Sequence, residues 1–411
     1  MPSTADSLRA RDAKDVEAAV QWALAESKSL EIIGQGTKRT LGRPAQSDAT
    51  LDLSDLTGVT LYEPEELVLS AKAGTSLAEI ANLLASSAQE LAFEPLDYGP
   101  LLGLPAGRGT IGGVLAMNLA GPRRIRAGAA RDHLLGATAI SGRGESFKTG
   151  GRVVKNVTGY DLCKLLAGSW GTLAAMTDVT LKVLPRAETE TTLLLLGLGE
   201  AVAVKAMAAA MGSSCDVSGA AHLPANIATR VSADLPIGRA ITAFRIEGVE
   251  PSVIHRGRAL EALMVPFGTP AMLDATPSRA LWRAVRDVTP FTADGPAGER
   301  VVWRISTAPM KGAQLAEIIA AKCDSEFLFD WAGGLVWAAI ASAEDAGVAV
   351  VRHAVRVCGG HATLIRAPLA SRAALAVFEP QADALAALTK RVKQSFDPKG
   401  VLGAGRMWAG V

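Results

Sequence analysis

Between Phe93 and Gly128 the chain carries eight glycines and four prolines, and neither a strand's two-residue period nor a helix's 3.6-residue period persists. A stretch that long without a repeating apolar face cannot bury itself as regular structure. It has to be held by elements on either side, and long loops inside compact domains are usually binding loops. Its middle, from Gly109 to Pro122, runs 14 residues without Asp, Glu, Lys or Arg. That is short of the ~20 apolar residues of a spanning helix, so the segment predicts a binding loop, and no transmembrane segment is expected anywhere in the chain.

The flanks supply regular elements. A helix is expected over 12–24 behind Asp12 and Asp15, then a short apolar strand at 30–33 that breaks into Gly34-Gln35-Gly36-Thr37-Lys38. Strands follow at 50–53, 59–62 and 67–71, then a helix opened by Ser76 with Glu79 three residues on, a capping-box spacing. After the loop come strands at 137–141 and 145–149, a helix around 160–167 and a strand at 177–184, where Thr177, Val179, Leu181 and Val183 alternate with polar residues. The polar segment 186–192 after Pro185 is the expected domain boundary. Beyond it strands and helices alternate, with no internal repeat apparent, to a C-terminal helix at 381–395 that sets Leu385, Leu388, Val392 and Phe396 in register before an Asp397-Pro398 turn. With 411 residues and ~150 per domain, two or three domains are expected.

Charge and cysteine usage exclude whole classes. Forty-two Lys+Arg against 41 Asp+Glu leave a net charge of +1, which argues against a protein that coats nucleic acid or a polybasic membrane-surface protein. Four cysteines, at 163, 215, 323 and 358, form no C-x-x-C pair, so no metal or iron–sulfur site is expected and any redox chemistry falls to an organic cofactor. Residues 1–15 lack the apolar core of a leader, which makes the cytoplasm the expected compartment.

The glycine loops carry the chemistry. Gly34–Lys38 follows a strand and lets backbone amides approach an anion, as a phosphate loop does, although an ordinary turn has the same letters. Thr110-Ile111-Gly112-Gly113, with Asn118 and Gly121, offers close backbone approach and polar partners to a flat ring, or equally the start of a packed helix. Gly159-Tyr160-Asp161-Leu162 and Gly168-Ser169-Trp170-Gly171-Thr172 complete an ordered series.

Taken together, in this order, these segments resemble the vanillyl-alcohol-oxidase type of FAD-binding protein. Residues 151–162 and Asn118-Leu119-Ala120-Gly121-Pro122-Arg123-Arg124 are most similar to the E subunits of bacterial glycolate oxidases. The resemblance implies an α+β fold: a two-lobed FAD-binding domain of the p-cresol-methylhydroxylase (PCMH) type over 1–187, an α+β cap over 188–380, and a helix and turn over 381–411 returning to the FAD domain. It implies FAD held by Gly34, Gln35, Gly36, Thr37 and Lys38 at the pyrophosphate, by Thr110, Gly112, Gly113, Asn118 and Gly121 at the flavin, and by Asp161, Gly171, Thr172 and Thr177 elsewhere along the cofactor. The first loop has no histidine to tether the ring, so non-covalent FAD is expected, and valine at Gly112 or Gly113 should expel it.

By the same resemblance the chain is an FAD-binding subunit of a glycolate oxidase that turns glycolate into glyoxylate. Its partners would be a related catalytic flavoprotein subunit and an iron–sulfur subunit, with membrane contact only through them, at the inner face of the plasma membrane. For catalysis within this chain, His361 is the candidate base and Arg304 the candidate cation for the carboxylate of a small 2-hydroxy acid. The Glu-His-Gly triplet common in catalytic relatives is missing. A self-sufficient 2-hydroxy-acid oxidase and a flavin-free assembly subunit remain the alternatives.

Overall fold

The computed structural model describes residues 6–44, 46–153, 159–231, 238–342 and 344–411. Three short parallel strands come first, in the order Asp6–Arg9, Ala49–Asp52, Leu30–Ile33. The helix Ala13–Ala25 begins where the Asp12 carboxylate accepts the Lys14 and Asp15 amides at 2.9 Å, and it buries Val16, Val20 and Ala23. A five-stranded antiparallel sheet forms the second lobe, ordered Val59–Glu63, Val68–Lys72, Ala174–Lys182, Leu134–Ser141, Ser146–Gly150. The strand expected at 177 starts at Ala174, because Ala174 to Met176 already pair with Ser141 to Ala139. Across the sheet the helix Leu77–Ser86 starts at Ser76, whose hydroxyl accepts the Glu79 amide at 3.1 Å.

The glycine- and proline-rich stretch is not all loop. It contains the helix Ile111–Met117, begun by Thr110, whose Oγ1 accepts the Gly113 amide at 3.3 Å. The Gly112 amide donates to the Ala73 carbonyl at 2.8 Å, and a Cβ on Gly112 would lie 2.8 Å from the Ala73 Cβ and oxygen. Gly112 therefore lets this helix sit directly on the end of strand Val68–Lys72, a long-range requirement with no local period to announce it.

The third unit is one eight-stranded antiparallel sheet, ordered Pro270–Leu273, Thr189–Leu196, Ile241–Gly248, Gly219–Leu223, Ser325–Asp330, Leu335–Ile340, Val301–Ser306, His361–Arg366. Read along the chain, each half is strand, helix, strand, strand, helix, strand, in spatial order 4-1-3-2, mirrored about a seam where His222 pairs with Phe329. The sequence shows no repeat because the halves share topology and not residues. Most of the helices cover one face of the sheet; the other, with Leu328, Trp337 and Ile365, joins Leu281 and Trp282 of the helix Ala275–Arg286 and Tyr98, Leu115 and Leu119 of the N-terminal lobes in one core. The first strand, Thr189–Leu196, begins inside the polar segment expected as a linker, and the buried Glu190 there accepts from Ser278 Oγ at 2.6 Å.

The helix Asp383–Phe396 and the turn after it return to the first lobes. The buried Lys393 ammonium donates to the Asp397 carboxylate and to the Thr172 and Leu402 carbonyls at 2.6–2.7 Å, and Asp397 in turn accepts the Val401 and Leu402 amides at 2.8 Å. This knot delivers Leu402 to a parallel bridge with Leu30. Leu385 and Leu388, expected on the buried face, stay 51% and 48% exposed; the packed positions are Val392, Lys393 and Phe396. No described helix is long and apolar enough to cross a membrane.

Candidate functional site

Three cavities lie in a row, two of them between the N-terminal lobes and the third at their junction with the large sheet. The inner one, about 450 Å³, is walled by Ile32, Leu53, Ala73, Gly112 and residues 174–176. It shares Gly34, Thr110, Gly113, Ala116, Trp170 and Gly171 with a middle cavity of about 700 Å³, which adds Gln35 to Arg39, Gly403 and Arg406. Met117 and Trp170 also border the third, about 500 Å³, which Tyr98, Asn118, Arg304, Thr363 and Phe378 complete at the junction with the large sheet.

The middle cavity is built for an anion. Gly36 has φ +70°, and a Cβ on Gly34 would lie 2.7 Å from Thr110 Oγ1, so the loop runs where side chains do not fit. Lys38 Nζ lies 3.1 Å from Thr37 Oγ1 and has no carboxylate within 4 Å among the described residues. Burial pushes its pKa down to about 8, with Asp97 opposing weakly. A half-buried ammonium without a counter-ion among the described residues, beside open backbone, is an arrangement that a pyrophosphate completes, and the row of cavities gives a dinucleotide-shaped ligand space at both ends.

The structure gathers most of the sequence-nominated residues here. Gly34, Gln35, Gly36, Thr37, Lys38, Thr110 and Gly113 line the middle cavity, Gly112 the inner, Gly171 both, and Asn118 and Arg304 the third. Others stand outside all three. Gly121 packs against Glu94 and Arg286, Asp161 caps the helix Leu162–Leu166, and the Thr172 and Thr177 hydroxyls donate to the Ser169 and Thr138 carbonyls. His361 lies at the exposed start of the last strand, opposite Ser306; desolvation by the surrounding protein and the Arg304 charge lower its pKa. Residues 154–158 of the Gly151 to Leu162 motif lie outside the described residues.

Several lining residues escaped the sequence, Tyr98, Arg406 and Trp170 among them. Arg406, joined to Glu31 at 3.3 Å and to the Lys38 carbonyl at 2.9 Å, comes from far along the chain. Trp170 borders all three cavities with φ +57°, and its ring packs edge-on against Phe378 with centroids 4.9 Å apart. The only signal for Trp170 was the pair of glycines on either side of Ser169-Trp170.

Comparison with known proteins follows this geometry. Residues 7–150 match the family described as FAD binding domain. Over 396 residues, 95% of either chain, the sequence is 32% identical to the glycolate oxidase subunit GlcE of Escherichia coli (strain K12). The chain belongs to the GlcE family of glycolate oxidase subunits. Like other members of this FAD-linked oxidoreductase family it uses FAD. A shorter segment of 87 residues, 21% of this chain and 18% of the relative, is 41% identical to the glycolate oxidase subunit GlcD of Bacillus subtilis (strain 168). The fold is that of p-cresol methylhydroxylase, with a TM-score of 0.72 at 12% identity, covering 97% of this GlcE-family chain and 88% of that one.

With FAD as the ligand, the Lys38 shift yields a pH prediction. Burial pushes the Lys38 pKa down to about 8, and a pyrophosphate set beside the ammonium would restore its charge and raise that pKa. Below pH 8 the ammonium is already present and affinity is level; above it, binding must take up a proton and weakens. Flavin dissociation constants measured at pH 7 and pH 9 are expected to differ by roughly tenfold, weaker at pH 9. Lys38→Met should bind more weakly throughout and flatten the profile; an equally steep profile in that variant removes Lys38 from the site.

Proposed function

We propose that this chain is the FAD-holding subunit of a glycolate oxidase (glycolate dehydrogenase) complex that converts glycolate to glyoxylate and passes the electrons on through partner subunits. The observation that carries the reading is the row of three cavities, which runs from the anion-ready Gly34–Lys38 loop to the junction with the eight-stranded sheet. In this reading Gly34 to Lys38, Thr110, Gly113 and Arg406 hold the pyrophosphate. Tyr98, Asn118 and Trp170 hold the ring, which when bound supplies a two-electron acceptor. Among the described residues no histidine or cysteine lines the three cavities, which supports non-covalent FAD; flavin released into the supernatant on acid precipitation is the expected result. Gly121, Asp161, Thr172 and Thr177 act from behind by shaping the lobe.

The partners in this reading are a related catalytic flavoprotein subunit and an iron–sulfur subunit, in the cytoplasm against the inner face of the plasma membrane. Among the described residues no three or more His, Cys, Asp or Glu side chains group to hold a metal, so an external electron carrier fits the chemistry. The test is the visible spectrum of the chain purified alone, before and after anaerobic glycolate. A flavin spectrum that stays oxidised supports a subunit needing its partner. Bleaching favours a self-sufficient oxidase with His361 as base, and a colourless protein overturns the reading in favour of an assembly subunit.

A further inference from the structure

Among the described residues, two guanidiniums without counter-ions share the ring of Trp331, and one of them, that of Arg304, lines the third cavity. Trp331 lies in the turn after strand Ser325–Asp330, and it and Ala332 both have positive φ, 50° and 57°. Such strained backbone persists only when the surroundings enforce it. Here the Trp331 amide donates to Asp330 Oδ1 at 2.7 Å and its indole N–H to the Gly121 carbonyl at 3.0 Å. The buried ring so fixed carries Arg124 with Cζ 4.3 Å from its centroid and Arg304 at 5.0 Å. Among the described residues neither guanidinium has a carboxylate within 4 Å or a hydrogen-bond acceptor.

Their neighbours are all engaged. Arg123 holds Glu90 and Glu247, Arg245 holds Glu94, and Arg366 donates to the carbonyls of Leu101, Phe291, Ala297 and Arg300. Asp330 does not serve the pair, since its carboxylate is turned to the Trp331 amide and burial pushes its pKa up to about 7. Two like charges brought to one ring without an anion repel each other, and an anion within reach of both offsets that cost. Arg304 points into the cavity beside its cross-strand partner Thr363, with Tyr98 and Asn118 opposite, so hydroxyl and amide groups are at hand for a hydroxyl beside the anion. Arg124 is solvent-exposed on the short helix Arg124–Ala127, which leaves the pair open to a ligand entering from outside.

We propose that Arg124 and Arg304, fixed across Trp331, form a carboxylate-binding site, so that this chain itself binds the carboxylate end of a small 2-hydroxy acid. The inference rests on reading the third cavity as the ring's, and its test separates the two. Glycolate, oxalate and the neutral glycolamide are titrated into the purified full chain, followed by calorimetry and tryptophan fluorescence at fixed ionic strength, with flavin content read separately from visible absorbance. Saturable binding of glycolate and oxalate but not glycolamide is expected. Arg124→Gln and Arg304→Gln each weaken it roughly tenfold or more, as loss of a charge-assisted hydrogen bond does, and Arg304→Lys recovers part of the loss. Arg124→Gln, on the surface, keeps its full flavin content. No saturable binding by the unmodified chain, or unchanged affinity in both glutamine variants, overturns the site while leaving the flavin reading intact. Arginine-dependent binding by a chain that holds no flavin upholds the site and removes the flavin reading instead.

Discussion

Asp397→Ala is expected to destabilise the protein by roughly 3–5 kcal/mol, the usual cost of leaving one member of a buried ion pair alone. Lys393 and Asp397 are 3% and 2% exposed, so water cannot take over. The alanine leaves the ammonium with two carbonyls and strips the Val401 and Leu402 amides of their acceptor. Because this turn also delivers Gly403 and Arg406 to the middle cavity, flavin should be lost along with stability. Lys393→Met combined with Asp397→Ala removes the stranded charge and should be less destabilised than the two single changes add up to. Denaturant midpoints of the four proteins check this; a shift worth less than about 1 kcal/mol for Asp397→Ala would mean that the pair is not needed to close the turn.

Ala116→Trp should give a folded protein without flavin. Ala116 borders both the inner and the middle cavity, partly exposed to their shared waist, so an indole there fills ligand space instead of colliding with the core. The expected result is an absorbance spectrum without a visible flavin band and affinity lowered by about a hundredfold or more, with thermal unfolding close to that of unmodified protein stripped of flavin. Stoichiometric flavin in this variant would show that the cofactor does not pass the waist. Gly112→Val also removes flavin by expectation, but through a different contact from the one the sequence implies. Its new side chain strikes Ala73 and lifts the helix Ile111–Met117, so it should lose stability too, and comparing the two variants distinguishes filling from displacement.

What could be read from the sequence was what is encoded locally. Gly34 to Lys38 announced itself because glycines directly after an apolar run are a local signal, and the Asp12 and Ser76 caps because the amides that donate to them lie two or three residues away. Arg406 and Trp170 were hidden because their roles depend on contacts across most of the chain. Gly121, Thr172 and Thr177 sit in the right motif but spend their contacts on Glu94, Ser169 and Thr138, and a string of letters does not reveal which side of a backbone meets a cavity. The duplicated strand-helix pattern of the large sheet was likewise out of reach, because two halves that meet at His222 and Phe329 share an order of strands and no pattern of residues. Leu385 and Leu388 show the converse, a helical stripe in the sequence that the fold leaves in solvent.

The bridge from Leu402 to Leu30 also sets a schedule for cofactor loading. Ribosomes release residue 33 long before residue 406, and at about 5–20 residues per second the interval is on the order of tens of seconds. Throughout it the Gly34–Lys38 loop is in being without the wall that Gly403 and Arg406 supply. The nascent polypeptide therefore has a half-built cleft, and flavin capture belongs to the finished, released chain. With the cofactor site as proposed, a ribosome stalled anywhere upstream of residue 397 is expected to leave a product that does not retain FAD, so cofactor retention would report that synthesis has passed the turn that closes the site.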